Sequence, residues 1–409
     1  MQTQISDQYR NDPQIEEAEA ILRKCVHCGF CLATCPTYNL LGDELDSPRG
    51  RIYQIKQVLE GHEATTSTLT HLDRCLTCRN CETTCPSGVE YGHLVDIGRR
   101  VVEDKVQRPL GERLLRWGLL KFLPYRTRIT PLVRLGQWVR PILPAVLSKS
   151  IPARRPTTET AAVRNTPLTR RMLVLGGCVQ PSLAPETNAA AERVLSRLGI
   201  ELVELPAAGC CGAINFHLND QTTALDFMRR NIDAWWPEIE NGAEALVMTA
   251  SGCGSMVSEY GHLLENDADY RDKAATISDR CRDLAEILDN ENLAALKVNS
   301  EGVGPVAYHP PCTLQHGQKL TGVAERILSQ LGFELTAVPD SHTCCGSAGT
   351  YSITQKKLSN SLREQKIRNL ESGQPEMLVT SNIGCQLHLQ SGTQTPVRHW
   401  IELLDDACE

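Results

Sequence analysis

The chain has 409 residues, which is enough for two or three domains of about 150 residues each. Its net charge of −7 argues against a nucleic-acid binder, and no arrangement of basic and aromatic residues resembles one. Eighteen cysteines at motif-like spacings favour metal binding in a reducing compartment over a disulfide scaffold. The segment Met1–Gln14 is polar, and no stretch reaches about 18 uncharged apolar residues. We therefore expect no secretory signal and no transmembrane helix, and a location in the cytoplasm or on the cytoplasmic face of the inner membrane.

Residues 1–100 are predicted to be helical around two cysteine blocks. Asp12-Pro13 is typical of an N-cap followed by the first helical residue, and Ser47-Pro48 repeats this pattern between the blocks. Apolar residues follow each start at helical spacing, namely Ile15, Ala18 and Leu22, and then Ile52, Ile55 and Leu59.

The two cysteine blocks share the pattern C-x2-C-x2-C-x3-C-P and begin at Cys25 and Cys75. Two-residue gaps let the backbone curl around one metal cluster and present three thiolates to it. The proline after the fourth cysteine fixes φ and removes an N–H, which turns the chain away from the cluster. Gly29, beside Cys28, permits a close backbone approach. Zinc and disulfides are the alternatives, although zinc usually takes two separated C-x-x-C pairs and disulfides need an oxidising compartment.

This spacing resembles that of bacterial two-cluster ferredoxins, in which the fourth cysteine of each block binds the other cluster. The resemblance implies two [4Fe–4S] clusters. It assigns Cys25, Cys28, Cys31 and Cys85 to the first cluster, and Cys75, Cys78, Cys81 and Cys35 to the second.

Residues 105–155 differ in composition, because they hold twelve basic residues and only one acidic residue, Glu112. Tryptophan, leucine and isoleucine are interleaved with the basic residues, and prolines interrupt the segment. The segment could contact anionic lipid or a partner as an amphipathic surface element. The alternative is a connector whose apolar side packs on the preceding domain. Residues 152–168, rich in Pro, Thr, Ala and Arg, are predicted to be a linker.

From about residue 170 the sequence repeats itself. Cysteines of the first copy are Cys178, Cys210, Cys211 and Cys253, and those of the second are Cys312, Cys344, Cys345 and Cys385. Equivalent cysteines are 132 or 134 residues apart. Each copy is predicted to be a β-α-β-α-β unit, with helices starting near Thr187 and Gln318 and a second strand at 332–338 in the later copy. Alternating strands and helices indicate a parallel sheet, and the cysteines lie past strand ends, where such sheets place ligands.

The repeated pattern resembles the cysteine-rich CCG domain. That domain occurs in heterodisulfide reductase and in iron–sulfur subunits for anaerobic glycerol-3-phosphate, lactate and glycolate oxidation. The closest resemblance is to glycolate oxidase iron–sulfur subunits, through segments such as Leu41-Gly-Asp-Glu-Leu-Asp and Thr249-Ala-Ser-Gly-Cys-Gly. Four cysteines in each copy suffice for a further iron–sulfur centre. The alternative is that they remain buried thiols or disulfides.

The resemblance implies a multidomain protein in which an α-helical ferredoxin domain precedes a duplicated α/β CCG domain. The expected boundaries are 1–100 for the two-cluster domain, 101–168 for the connector and linker, and 169–300 and 301–409 for the two CCG domains. The implied function is electron transfer in a flavin-dependent 2-hydroxy-acid dehydrogenase complex that oxidises glycolate to glyoxylate. FAD would lie on flavoprotein partner subunits, and quinone or another acceptor would take the electrons.

Two alternatives to this function stay open at this point. One is a thiol/disulfide enzyme like heterodisulfide reductase, although Ala250 and Asn382 stand where that family has the first cysteine of a C-x-x-C pair. The other is an iron–sulfur subunit for lactate or glycerol-3-phosphate oxidation. No G-x-G-x-x-G follows a predicted strand, so the chain lacks a dinucleotide fingerprint of its own. Cys281 and Cys408 have no motif partner and are expected to be free thiols.

Overall fold

The computed structural model describes residues 1–142 and 167–408. The chain divides into two compact units. Unit 1 is Met1–Trp117 with His342–Lys366, and unit 2 is Gly118–Ser341 with Ile367–Glu409. Apart from residues 167 and 168, the predicted linker lies outside the described residues, as does the end of the basic segment. The four domain boundaries stay a prediction.

Helices account for most of the described elements. Those before residue 143 are α1 (Pro13–Lys24), α2 (Phe30–Ala33), α3 (Pro36–Leu41), α4 (Pro48–Leu59), α5 (Thr66–Asp73), α6 (Asn80–Thr83), α7 (Tyr91–Lys105), α8 (Leu110–Phe122) and α9 (Arg126–Val139). Those after residue 166 are α10 (Gln180–Leu183), α11 (Glu186–Arg197), α12 (Ala213–His217), α13 (Gln221–Glu240), α14 (Ser251–Val257), α15 (Tyr260–Leu263), α16 (Arg271–Arg280), α17 (Leu284–Asp289), α18 (Val323–Gln330), α19 (Tyr351–Thr354), α20 (Lys356–Glu371), α21 (Ile383–Gln390) and α22 (Trp400–Ala407).

The described strands form two parallel sheets. They are β1 (Arg170–Val174), β2 (Ile200–Glu204), β3 (Leu246–Met248), β4 (Cys281–Asp283), β5 (Val306–His309), β6 (Met377–Thr380) and β7 (Val397–His399). The first sheet has the order β2-β1-β3-β4, and the second has the order β5-β6-β7. All of these strand pairs are parallel, with Arg170 opposite Ile200 and Val306 opposite Met377. The predicted class, a helical domain followed by duplicated α/β units, is confirmed.

In unit 1 the two predicted helix starts are correct. The carboxylate of Asp12 accepts a hydrogen bond from Gln14 N, and the hydroxyl of Ser47 accepts one from Gly50 N. Both caps satisfy backbone donors that a helix start leaves without partners. Helices α1, α4 and α5 all pack against α7, and their apolar faces form one buried core. This core surrounds the loops that carry the two cysteine blocks.

Unit 2 has a shared core beneath both sheets. Met172 and Val194 of the first repeat and Val306 and Trp400 of the second belong to one cluster of buried apolar side chains. A second cluster covers the other face of the first sheet, around Trp235. Because each sheet alone has only three or four short strands, the two repeats bury their apolar faces together.

The second repeat differs from its prediction in two places. Residues 332–338 form no strand, and only an isolated bridge joins Leu335 to Val306. The predicted helix from Gln318 begins at Val323, because a π-helical turn occupies Thr313–Gly317. In the first repeat, α11 begins at Glu186, and the Thr187 hydroxyl donates to Glu402 at 2.7 Å and caps no helix. The hydrogen-bond partner of such a side chain comes from a residue far away in the sequence, which helical periodicity does not reveal.

The described part of the basic segment forms α8 and α9. Two of its arginines are used internally in unit 1, because Arg108 and Arg116 both bind the carboxylate of Asp73. Burial alone would raise the pKa of Asp73, but these guanidinium groups outweigh it and the pKa lies below its ordinary value. Leu119 of α8 is buried, but eight other large apolar side chains of the two helices are exposed. These are Leu110, Leu114, Leu115, Trp117, Phe122, Leu132, Leu135 and Trp138.

Gly50 provides a test of the packing in unit 1. A Cβ at this position would overlap the carbonyl of Glu44, which is backbone and cannot rotate away. We expect Gly50→Ala to destabilise unit 1 by about 3 kcal/mol, measured as the denaturant midpoint at which the visible absorbance of the bound clusters is lost. Gly118→Ala is the matched control, since a Cβ there meets nothing within 4 Å and should stabilise α8 by about 1 kcal/mol. Equal midpoints for the two variants would contradict this packing.

Candidate iron–sulfur and thiol sites

The two cysteine blocks adopt the same backbone conformation. In the first block His27 and Gly29 have φ of 56° and 86°, and the equivalent residues of the second block, Thr77 and Arg79, have φ of 51° and 60°. These left-handed residues flank the second cysteine of each block. They turn the chain so that consecutive thiols point to a common centre. Gly29 adopts this conformation without strain, whereas Thr77 and Arg79 do not.

Surrounding side chains hold the strained residues of the second block. Arg99 donates to the hydroxyl of Thr77 at 2.9 Å and to the carbonyl of Cys75 at 2.6 Å. Arg79 binds the carboxylate of Glu82 at 2.8 Å. Strained backbone persists where its surroundings overdetermine it, and such places concentrate at functional sites.

The first block lines a cavity of about 440 Å³ in unit 1. Four of its lining residues are the cysteines assigned to the first cluster: Cys25, Cys28, Cys31 and Cys85. Cys85 comes from the other block, as the ferredoxin pattern requires. Cys28 is exposed, as are the neighbouring Val26 and Phe30, so this cavity lies close to the surface.

A second cavity of about 300 Å³ lies beside the first, because Cys81 and Tyr91 line both. Its walls include the cysteines assigned to the second cluster: Cys35, Cys75, Cys78 and Cys81. The Thr77 N–H and the Tyr91 hydroxyl both donate to the sulfur of Cys75, at 3.4 and 3.7 Å.

The donor set of both cavities fits iron–sulfur clusters. The first is lined by the four assigned cysteines and by Cys81, the second by its four assigned cysteines, and no acidic side chain lines either cavity among the described residues. Thiolates suit iron–sulfur clusters, and both cavities offer them without an oxygen ligand from an acidic side chain. Burial raises the pKa of Cys25 and Cys81, and raises that of Cys31 to about 11. These thiols hold protons until iron displaces them, so cluster assembly releases protons.

Unit 2 brings four further cysteines together. Cys178 follows β1, the pair Cys210-Cys211 follows β2, and Cys253 lies in α14 after β3. These strands are neighbours and parallel, so the loops at their carboxyl ends meet at one edge of the sheet. The four thiols form a hydrogen-bonded chain in which Cys210 contacts Cys178 and Cys211, and Cys211 contacts Cys253.

The thiols of this chain differ in acidity. Hydrogen bonds from Cys210 and Cys253 hold the pKa of Cys211 well below its usual range, although burial acts in the opposite direction. Hydrogen bonds to Cys178 and Cys211, together with burial, raise the pKa of Cys210, and a hydrogen bond to Cys211, together with burial, raises that of Cys253. A cysteine made more acidic in this way can, as a thiolate, bind a soft metal ion or attack a disulfide.

Two buried residues that the sequence did not single out for a role hold the Cys210-Cys211 loop. Asn231 donates to the carbonyl of Cys210 at 2.9 Å and accepts from Gly209 N, also at 2.9 Å. The hydroxyl of Tyr260 donates to the carbonyl of Cys211 at 2.8 Å. Asn231 follows the cysteine pair by about 20 residues and lies in α13, so neither motif spacing nor helical periodicity marks it as a loop partner.

The four cysteines of the second repeat belong to different units. Cys312 precedes the π-helical turn after β5, and Cys385 lies in α21 after β6, both in unit 2. Asn382 occupies the position of the missing C-x-x-C cysteine, and its Nδ2 donates to the sulfur of Cys385 at 3.4 Å. Cys344 and Cys345 belong to unit 1, where Gly346 N donates to the sulfur of Cys344.

Two domain families match this chain. A 4Fe–4S dicluster domain matches residues 21–89, and a cysteine-rich domain, CCG, matches residues 172–258 and again 306–390. With the two thiol-lined cavities, these matches define an iron–sulfur electron-transfer protein. Over 412 aligned residues the chain is 56% identical to the glycolate oxidase iron–sulfur subunit of Escherichia coli, with all of both chains covered. It belongs to the family of glycolate oxidase iron–sulfur subunits, as its motifs indicated.

Two further comparisons are more distant. A lactate utilization protein A of Bacillus velezensis is 30% identical over 222 residues, which cover 52% of this chain and 87% of that protein. The crystal structure of a hypothetical protein from Helicobacter pylori shows a similar fold, with a TM-score of 0.56 and 10% identity over 98% of this chain and 73% of that one. As a member of its family, the present chain is an electron-transfer subunit of an oxidoreductase complex and carries [4Fe–4S] clusters.

Proposed function

We propose that this chain takes electrons from flavoprotein subunits that oxidise glycolate to glyoxylate, and delivers them to membrane quinone or another acceptor. The observation that supports this most directly is the pair of adjoining cavities, each lined by the four motif cysteines assigned to its cluster. Clusters so close together suit transfer along a chain of redox centres.

The ligands follow from the lining of each cavity. Cys25, Cys28, Cys31 and Cys85 would hold the first cluster. Cys75, Cys78, Cys81 and Cys35 would hold the second. A bound [4Fe–4S] cluster takes up and releases single electrons at a potential that its surroundings set. The protein supplies the sulfur donors, the backbone turns that aim them and the burial that limits access of water.

Oxidation of a 2-hydroxy acid needs a two-electron acceptor, and this chain carries no dinucleotide fingerprint. FAD on partner subunits would fill that role. Full-length identity of 56% to a glycolate oxidase subunit supports glycolate as the substrate of the complex. The relative named for lactate utilization matches only about half of this chain, which makes lactate the weaker candidate.

The first test uses the complete complex, purified without oxygen. In Cys78→Ser we expect glycolate still to reduce the bound flavin, while reduction of a quinone analogue is abolished, because the second cluster is lost. Flavin absorbance and quinone-analogue reduction are measured on the same sample. Cys408→Ser, which alters a thiol outside both motifs, should behave as the unaltered complex does. Quinone reduction that persists in Cys78→Ser, or equal flavin reduction by lactate, would contradict the proposal.

We further propose that Cys178, Cys210, Cys211 and Cys253 hold an additional metal centre in unit 2. The hydrogen-bonded thiols and the acidic Cys211 support it. The proposal is confined to the first repeat, because Cys312 and Cys385 of the second repeat belong to unit 2 and Cys344 and Cys345 to unit 1. Because Asn382 replaces a cysteine in the second repeat, a site that cleaves disulfides is the weaker candidate.

Metal content tests this additional centre. Two cubanes account for about eight irons per chain, so we expect more than eight in protein purified without oxygen, with the excess lost in Cys211→Ser. Cys281→Ser is the matched control and should leave the iron content unchanged, since Cys281 is also buried in unit 2 and its thiol donates to the carbonyl of Gly254 at 3.7 Å. Eight irons in both the original protein and Cys211→Ser would refute the metal centre. Thiol-dependent turnover by the chain alone would instead favour the disulfide enzyme.

We also propose that α9 contacts an anionic membrane surface. Among the described residues, no helix combines the length and hydropathy needed to cross a bilayer. Leu132, Leu135 and Trp138 of α9 are nevertheless exposed, as is Ile142 just beyond it. They lie within about a third of the helix circumference. The exposed basic residues Arg128 and Arg134 on the same helix complement anionic lipid.

Vesicle flotation tests this surface. The complex should float with vesicles that contain phosphatidylglycerol and much less with phosphatidylcholine alone, since attraction to anionic lipid adds to apolar burial. Replacing Leu135 and Trp138 by glutamate should weaken flotation at least about tenfold. Ile353→Glu changes an exposed apolar residue elsewhere and should have no effect. Flotation that is unchanged by the double substitution would exclude α9 as the contact, whereas loss of partner subunits from that variant would identify a protein interface.

A further inference from the structure

The second cavity of unit 1 is bordered by buried charge. Arg51 lines this cavity with 1% of its surface exposed, and Asp46, fully buried, accepts from its Nη2 at 3.3 Å. Arg51 also donates to the hydroxyl of Thr37 at 3.1 Å, and that hydroxyl lies 3.3 Å from the sulfur of Cys35. A guanidinium group therefore lies one side chain away from a proposed ligand of the second cluster.

Further charges surround this pair. The other oxygen of Asp46 binds Arg74 at 2.8 Å, and His71 Nδ1 lies 3.0 Å from the oxygen that Arg51 contacts. Arg99, also buried, donates to the carbonyl of Cys75 and pairs with Asp96 at 3.3 Å. Arg51, Arg99, Asp46 and Asp96 are all buried, whereas the side chain of Arg74 is 32% exposed.

Fold stability does not account for the Arg51–Asp46 pair. Removing two charges from water is costly, and a buried ion pair seldom stabilises a fold more than apolar side chains of equal volume would. The Coulomb energy between a buried charge and another charged group nearby is large, since little solvent screens it. The energy of a negatively charged group in the second cavity would therefore depend strongly on the charges of both residues.

We propose that Arg51 and Asp46 set the reduction potential of the cluster held by Cys35, Cys75, Cys78 and Cys81, with opposite signs. This inference rests on the ligands proposed above. Reduction adds one electron to the cluster and makes it more negative. Arg51 favours the reduced form and raises the potential, whereas Asp46 opposes it and lowers the potential. Neither residue is a ligand, so both act on electron transfer only through their charges.

The first cavity contains a matched control. Arg49 lines it, but its side chain is 33% exposed and pairs with the 45% exposed Glu44. Solvent screens this pair, and Arg49 lines the first cavity, so its removal should hardly alter the second cluster. Arg49 and Arg51 lie two residues apart on α4, which makes their substitution a comparison of burial at nearly constant position.

The experiment is a redox titration followed by electron paramagnetic resonance, on the complex purified without oxygen. The signal that is lost or altered in Cys78→Ser identifies the second cluster. Arg51→Gln should shift the potential of that signal downward, Asp46→Asn should shift it upward, and Arg51→Lys should leave it close to its original value. Arg49→Gln should leave the signal of the second cluster unchanged. The other cluster should respond less than the second to every substitution at 51 and 46.

Opposite shifts separate an electrostatic role from a structural one, because general damage to the site would move both variants in the same direction. Should Arg51→Gln fail to assemble, an upward shift in Asp46→Asn supports the inference, and an unchanged or lower potential overturns it. Absence of iron from the original protein would refute the proposed function itself. Two normal cluster signals that neither substitution moves would refute only the role of Arg51 and Asp46.

Discussion

The bond between cysteine sulfur and iron is the interaction on which unit 1 depends. Its core packs around two thiol-lined cavities, and short helices between the cysteines bury few apolar side chains of their own. Cluster ligation would add sulfur–iron bonds to this packing and would remove protons from thiols whose pKa burial raises. Assembly of the clusters would therefore be coupled to the stability of this unit. The left-handed residues beside Cys28 and Cys78 serve the same end, because they turn the backbone so that the thiols point to a common centre.

Unit 2 brings its cysteines together in a different way. Parallel strands align their carboxyl ends, so three loops can each contribute cysteines to one place without a contiguous motif. Asn231 and Tyr260 then hold the loop that carries Cys210 and Cys211. The first repeat thus obtains four neighbouring thiols from tertiary structure, where unit 1 obtains three of four from consecutive turns. This difference explains why the ferredoxin-like blocks are compact in sequence and the CCG pattern is dispersed.

Buried and exposed charged side chains have different roles in this protein. Acidic side chains are absent from the walls of both cavities among the described residues, and the buried arginines nearby are bound to carbonyls, hydroxyls and carboxylates one layer further out. The basic segment divides in a similar way. Arg108 and Arg116 stabilise unit 1 through Asp73, while arginines of α9 remain exposed beside apolar side chains. Composition alone had combined these two groups into one basic stretch.

Sequence by itself determined the features that depend on neighbours along the chain. The cysteine spacing identified the cluster type, the caps at Asp12 and Ser47 located two helices, and the 134-residue repeat indicated duplicated parallel sheets. Only the tertiary structure decided which residues far apart in the sequence come into contact. Asn231 and Tyr260 hold the cysteine pair, Arg51 and Asp46 border the second cavity, and residues 332–338 form one bridge where a strand was predicted. Local spacing restricts backbone turns and helix faces, whereas hydrogen bonds and ion pairs between distant segments depend on packing that no short pattern encodes.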